Sequence, residues 1–180
     1  MFRFEKCANV PVEGGRGGSG GLVELEGRVV WGGYGGVFML DGVEWRRLAD
    51  GGEEGGTLAV CGGRLVWVGG GYGDSKKVME LRGGRWSLMT DMLVGCSYSC
   101  VLSVRGGGMV VMGGLGDGGR DLDDVQVFDG ETKTWHRGPS LPQPCRAMSA
   151  VVHGDQVFVM GGGGMDTAVW CADIRDLVSH

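Results

Sequence analysis

Val110-Val111-Met112-Gly113-Gly114 is one of four short apolar runs in this chain that end in paired glycines. The others are Val29-Val30-Trp31-Gly32-Gly33, Val66-Trp67-Val68-Gly69-Gly70 and Phe158-Val159-Met160-Gly161-Gly162. Their first glycines lie 37, 44 and 48 residues apart. A unit recurring at such a distance is the mark of a repeat architecture. Each run is too short for a helix and rich in β-branched and aromatic residues, so it reads as a buried strand. The glycine pair lets the backbone leave the sheet at angles that a side chain disfavours.

Working outward from the glycine pair, the third unit is the most complete. Residues 97–104 read as a first strand, 105–108 as a turn and 109–112 as a second strand. A polar loop over 115–123 leads to a third strand at 124–128, and Asp129-Gly130 opens a turn. Thr134-Trp135-His136 is the fourth strand. Four short antiparallel strands in about 45–50 residues make one blade of a β-propeller. The expected fold is all-β, a single domain over 1–180 with blades at about 19–48, 57–88, 97–137 and 147–173. Trp45, Trp86 and Trp135 recur late in their units, where a large ring fills the wedge between blades.

The fourth unit stops after three strands, whereas Phe2-Arg3-Phe4-Glu5-Lys6 alternates like a spare one. Three arrangements follow: the N-terminal strand completes the fourth blade, the chain is part of a larger propeller, or two chains share one ring. A monomer or a homodimer is expected accordingly.

Composition bounds the function. Forty glycines would suggest disorder in an aperiodic chain, but the period and a 42% hydrophobic content supply a core. No apolar stretch approaches the ~18–20 residues of a membrane span, and charges interrupt the N-terminus where a signal peptide would be apolar. The net charge of −5 argues against a nucleic-acid surface, and the pairs Arg46-Arg47 and Lys76-Lys77 read as solvated positions. A cytoplasmic chain with neither membrane nor nucleic-acid partner is expected. The six cysteines include no CxxC pair, and no histidine pair lies near Cys96 and Cys100 to complete a zinc site. They read as free thiols serving as small apolar residues.

The glycine pair after an apolar strand, the Asp-Gly turn after the third strand, the tryptophan about six residues further on and the arginine in Pro144-Cys145-Arg146 together resemble the kelch repeat. The segment Phe128-Asp129-Gly130-Glu131-Thr132-Lys133-Thr134-Trp135 comes nearest to that motif. The resemblance implies a propeller whose second-to-third-strand loops and inter-blade loops meet on one face, commonly to bind a protein or peptide. It places Tyr34, Tyr72 and Arg120 on the first kind of loop and Arg16, Tyr98 and Arg146 on the second, and these six are the candidate partner-binding residues.

An arginine fork suits an acidic motif, or else it satisfies backbone carbonyls between blades; the sequence leaves both roles open. Tyr34 and Tyr72 likewise either reach a partner or pack over their glycine turns. Asp121, Asp123 and Asp124 lack the spaced oxygens of a calcium loop and read as a solvated acidic loop. His136, His153 and His180 form no convergent set, and GxSxG, HExxH and P-loop signatures are absent. The glycines at 69–73 precede a strand, not a phosphate-binding helix. A non-catalytic binding module without cofactor or metal is the expected function. The alternative is a small-molecule, sugar-type enzyme or binding propeller with its site at the channel mouth.

Overall fold

The computed structural model describes residues 21–33, 35–163 and 169–178. Among the described residues, fifteen strands fall into four antiparallel sheets, each ordered as the chain runs. The first sheet holds β1 (Gly21–Leu25), β2 (Arg28–Gly33), β3 (Gly36–Asp41) and β4 (Glu44–Ala49). The second holds β5 (Thr57–Cys61), β6 (Arg64–Val68), β7 (Lys77–Arg82) and β8 (Arg85–Asp91). The third holds β9 (Cys100–Val104), β10 (Gly108–Met112), β11 (Val125–Phe128) and β12 (Trp135–Arg137). The fourth holds β13 (Ser149–His153), β14 (Gln156–Met160) and β15 (Val169–Asp173), followed by the short helix α1 (Ile174–Val178). This is a four-blade β-propeller. The segment Phe2 to Lys6, expected to complete the fourth blade, lies outside the described residues.

Local chemistry sets the hairpins. Glu26-Gly27, Gly62-Gly63 and Gly83-Gly84 each form a two-residue loop with positive φ at both positions. That is the primed turn whose twist matches the flanking strands.

Cores lie between blades. Val30, Val37, Leu58, Leu65 and Trp67 fill the junction of blades one and two. Val66, Val68, Met109, Val111 and Phe128 fill the next, and Val110, Met112, Val125, Val157 and Val159 the third. Leu177 of α1 packs into the third junction as well. Because blade three is covered on both faces, every residue of β10 and β11 is buried. Their continuous apolar runs follow from that two-sided burial.

Two sequence readings shift by a few residues. The inner strand of blade three begins at Cys100 rather than Ser97, because Tyr98 adopts a φ of 53° that no strand accommodates. In blade one, Gly32 lies inside β2, paired with Gly21 and Val37. Trp31 therefore corresponds to Trp67, and Gly33 to Gly69.

The described cysteines are free: Cys61, Cys96, Cys100 and Cys145 are buried and Cys171 is exposed. Burial pushes the thiols of Cys96 and Cys100 up to about 11, so almost no reactive thiolate forms at neutral pH. Alkylation of the native protein at pH 8 is expected to label Cys171 and spare those four until denaturant is added. Peptide mapping checks this, and rapid native labelling of Cys96 or Cys100 would contradict it.

Candidate functional site: the loop face and channel mouth

The inner strands β1, β5, β9 and β13 line a central channel of about 400 Å3. Just before the inner strands of blades two, three and four stand Gly55, Tyr98 and Ala147, with φ of 76°, 53° and 53°. The amide of Tyr98 donates to the Gly55 carbonyl at 2.6 Å, and the amide of Ala147 donates to the Tyr98 carbonyl at 2.8 Å. These left-handed residues link neighbouring blades through their backbones. Two of the three carry a Cβ, a strain held in place by the surrounding hydrogen bonds. The ring of Tyr98 lies against Gly55, where a Cβ would come within 3.2 Å of its Cζ. Below this belt, the Thr57 hydroxyl donates to the Ser99 carbonyl at 2.8 Å, joining blades two and three.

The loops after β6 and β10 meet at the same end, where Gly73 packs against the backbone of Gly116. Tyr72, at the tip of the β6–β7 loop, is 89% exposed. Arg120 is exposed on the β10–β11 loop. Arg146 enters blade four and directs its Nη1 to Asp121 Oδ1 at 2.5 Å, tying that entry to the same β10–β11 loop. Of the acidic run, Asp121 thus pairs with Arg146, and Asp124 pairs with Arg137. Tyr98 sits half-buried at the channel mouth. Arg16 and Tyr34 lie outside the described residues.

A second concavity was not anticipated from the sequence. Gly51, Gly52, Glu53, Gly69, Ser75, Lys77, Met79, Trp67 and Trp86 line a groove of about 360 Å3 at the junction of blades one and two. Its two indoles meet edge to face, with centroids 6.0 Å apart. Trp67 Nε1 donates to the Glu53 carbonyl at 3.2 Å and Trp86 Nε1 to the Asp50 carbonyl at 2.8 Å. The run Gly51-Gly52 with Gly55-Gly56 was the available signal. A Cβ at Gly52 or Gly56 would overlap the Trp67 indole, so the glycines make room for it.

The channel wall carries glycine, aliphatic, hydroxyl and thiol side chains, with Tyr98 and Cys100 its titratable groups. Among the described residues no three His, Cys, Asp or Glu side chains converge as metal ligands, and no helix is long and apolar enough to cross a membrane.

Comparison with known proteins agrees with this architecture. Residues 96–142, spanning blade three and its connections, match the kelch motif. Alpha-scruin of Limulus polyphemus is 34% identical over 85 residues, which is 47% of this chain and 9% of that protein. Kelch-like protein 25 of Xenopus tropicalis is 31% identical over 84 residues, 47% of this chain and 14% of that protein. The chain therefore corresponds to a small part of each relative's length. The chain is thus a four-blade β-propeller whose third blade carries a kelch motif.

Proposed function

We propose that the chain is a non-catalytic protein-interaction module that holds a partner peptide or protein on its loop face. The observation that carries this reading is Tyr72, 89% exposed on the loop that also borders the Trp67–Trp86 groove. Tyrosine offers a large contact area with few rotatable bonds, and interface hot spots are enriched in it. A groove of this size accepts one apolar or aromatic side chain of the partner, flanked by Lys77 and Glu53. Arg120 and the exposed portion of Arg146 supply forks for a carboxylate nearby. The kelch relationship supports a binding role, and the channel's few titratable groups favour it over the sugar-type enzyme.

The test is capture from cell lysate by wild-type protein and by the Tyr72→Ala/Arg120→Ala variant, followed by affinity measurement on the proteins retained. Loss of an aromatic anchor typically costs about 2 kcal/mol, roughly a thirtyfold weaker complex. Both side chains are exposed, so the variant is expected to keep the wild-type thermal midpoint. A folded variant that retains the same proteins with the same affinity would overturn the assignment of this face.

A further inference from the structure

The repeat allows each blade face to be compared with its equivalents. In the junction of blades one and two, Leu58, Leu65 and Trp67 of blade two pack on Val23, Val30 and Val37 of blade one. Leu58 is 3% exposed and lies directly over Gly32, its Cδ2 only 2.7 Å from where a Cβ would stand. Strand register puts Leu22, Val29 and Trp31 of blade one at the positions of Leu58, Leu65 and Trp67. It likewise puts Val151, Phe158, Met160 and Val169 of blade four at the positions of Val23, Val30, Gly32 and Val37. These two sets are the halves of one more inter-blade junction, yet Leu22 is 67% exposed and Met160 55%. Val29, Val151 and Val169 are exposed too.

The tryptophan ladder gives an independent sign. Trp86 and Trp135 each donate an indole N–H back to the preceding blade, to the Asp50 carbonyl and to Thr90 Oγ1. Trp45 occupies the same position in blade one, and its buried Nε1 has no hydrogen-bond partner. Polarity matches across the free faces as well. His153 and Glu24 replace the apolar pair Leu25 and Val60, which both pack into the junction of blades one and two. An imidazole on one free face thus corresponds to a carboxylate on the other.

We infer that a second copy of this chain completes the junction. The blade-four face of one copy receives the blade-one face of its partner, Met160 under Leu22 and His153 beside Glu24. The contact is head-to-tail, so two copies that meet at both ends close into one ring of eight blades, within the usual range for propellers. A stable complex needs roughly 1,200–2,000 Å2 of buried surface, and closure at both ends divides that requirement between two junctions. Each interface uses the same strand positions as the three junctions inside the chain.

Light scattering and sedimentation of the full chain test this, with Leu22→Lys and Met160→Glu as variants at exposed positions. Wild-type protein is expected at twice the 18.9 kDa chain mass, and each variant at the monomer mass with an unchanged circular dichroism spectrum. An equimolar mixture of the two is expected to recover the dimer, because one junction is then wild-type and the other sets the introduced lysine against the introduced glutamate. A monomeric wild type would overturn the inference and leave these faces to a blade from another chain. So would a dimer that neither substitution disturbs, a series of larger head-to-tail oligomers, or a monomer that either substitution destabilises.

Discussion

Replacement of Gly113 by alanine is expected to destabilise the protein by about 3–5 kcal/mol, among the largest effects a single methyl can produce. Gly113 has a φ of 55°, a region that alone costs an L-residue about 1–2 kcal/mol. In addition, the new Cβ would lie well inside contact distance of the Cys145 carbonyl oxygen. That carbonyl cannot retreat freely, because it accepts the Gly114 amide at 2.8 Å. The methyl therefore meets backbone, not a side chain that can rotate away. Gly27→Ala is the control: its φ is 75°, but nothing lies within 4 Å of a Cβ there, so only the conformational cost applies. In urea denaturation the two variants are expected to separate by at least about 2 kcal/mol. Equal losses would mean that the close approach at Gly113 has no energetic consequence.

The second large effect is expected at Gln126. Its side chain is 1% exposed, in the middle of β11, and faces blade two. Its Oε1 accepts the Val94 amide at 2.8 Å and its Nε2 donates to the Val94 carbonyl at 3.0 Å. One primary amide thus serves both backbone groups of a residue in the connection between blades two and three, as a neighbouring strand would. Gln126→Leu keeps the volume but removes both partners. Leaving a buried donor and acceptor unsatisfied costs about 1–3 kcal/mol each, so a total of about 2–6 kcal/mol is expected. The thermal midpoint is then expected to fall by roughly 5–15 °C in a chain of this size. Gln126→Glu separates geometry from polarity: its shape is retained, but an ionised carboxylate cannot donate to the Val94 carbonyl. A leucine variant as stable as wild type would show that water replaces the amide at no cost.

The strands carried most of the fold's signal because both faces of the inner blades are buried, which produces uninterrupted apolar runs such as Met109 to Met112. The glycine pairs were legible for the same reason, since Gly69, Gly113 and Gly161 all require positive φ at the point where a second strand ends. The blade-one pair misled by one position because two glycines in succession look alike whichever of them closes the strand. Only pairing with Gly21 and Val37 places Gly32 within the sheet.

The loop face was harder to read. Tyr72 could be placed on its loop by its glycines, and its exposure agrees with a surface role. Arg146 could be placed at a blade entry, but its partner, Asp121, is 25 residues away in sequence and recognisable only once blade three has closed on blade four. The Trp67–Trp86 groove escaped notice because it draws on blade two and on the connection from blade one. Spacing along the chain reports what lies within a blade far better than what lies between blades.

Packing that runs only from each blade to the next has a consequence for dynamics. Blades two and three are clamped on both faces, whereas the described part of blade one leans on blade two alone and that of blade four on blade three alone. Stability in such arrays accumulates from neighbour contacts, so local opening is graded along the chain. Backbone amides of β6, β10 and β11 are expected to exchange with deuterium most slowly, at rates approaching those of global unfolding. In the monomeric Leu22→Lys and Met160→Glu variants, those of β2 and β14 exchange sooner, through partial opening in which one end blade detaches while the middle pair stays folded.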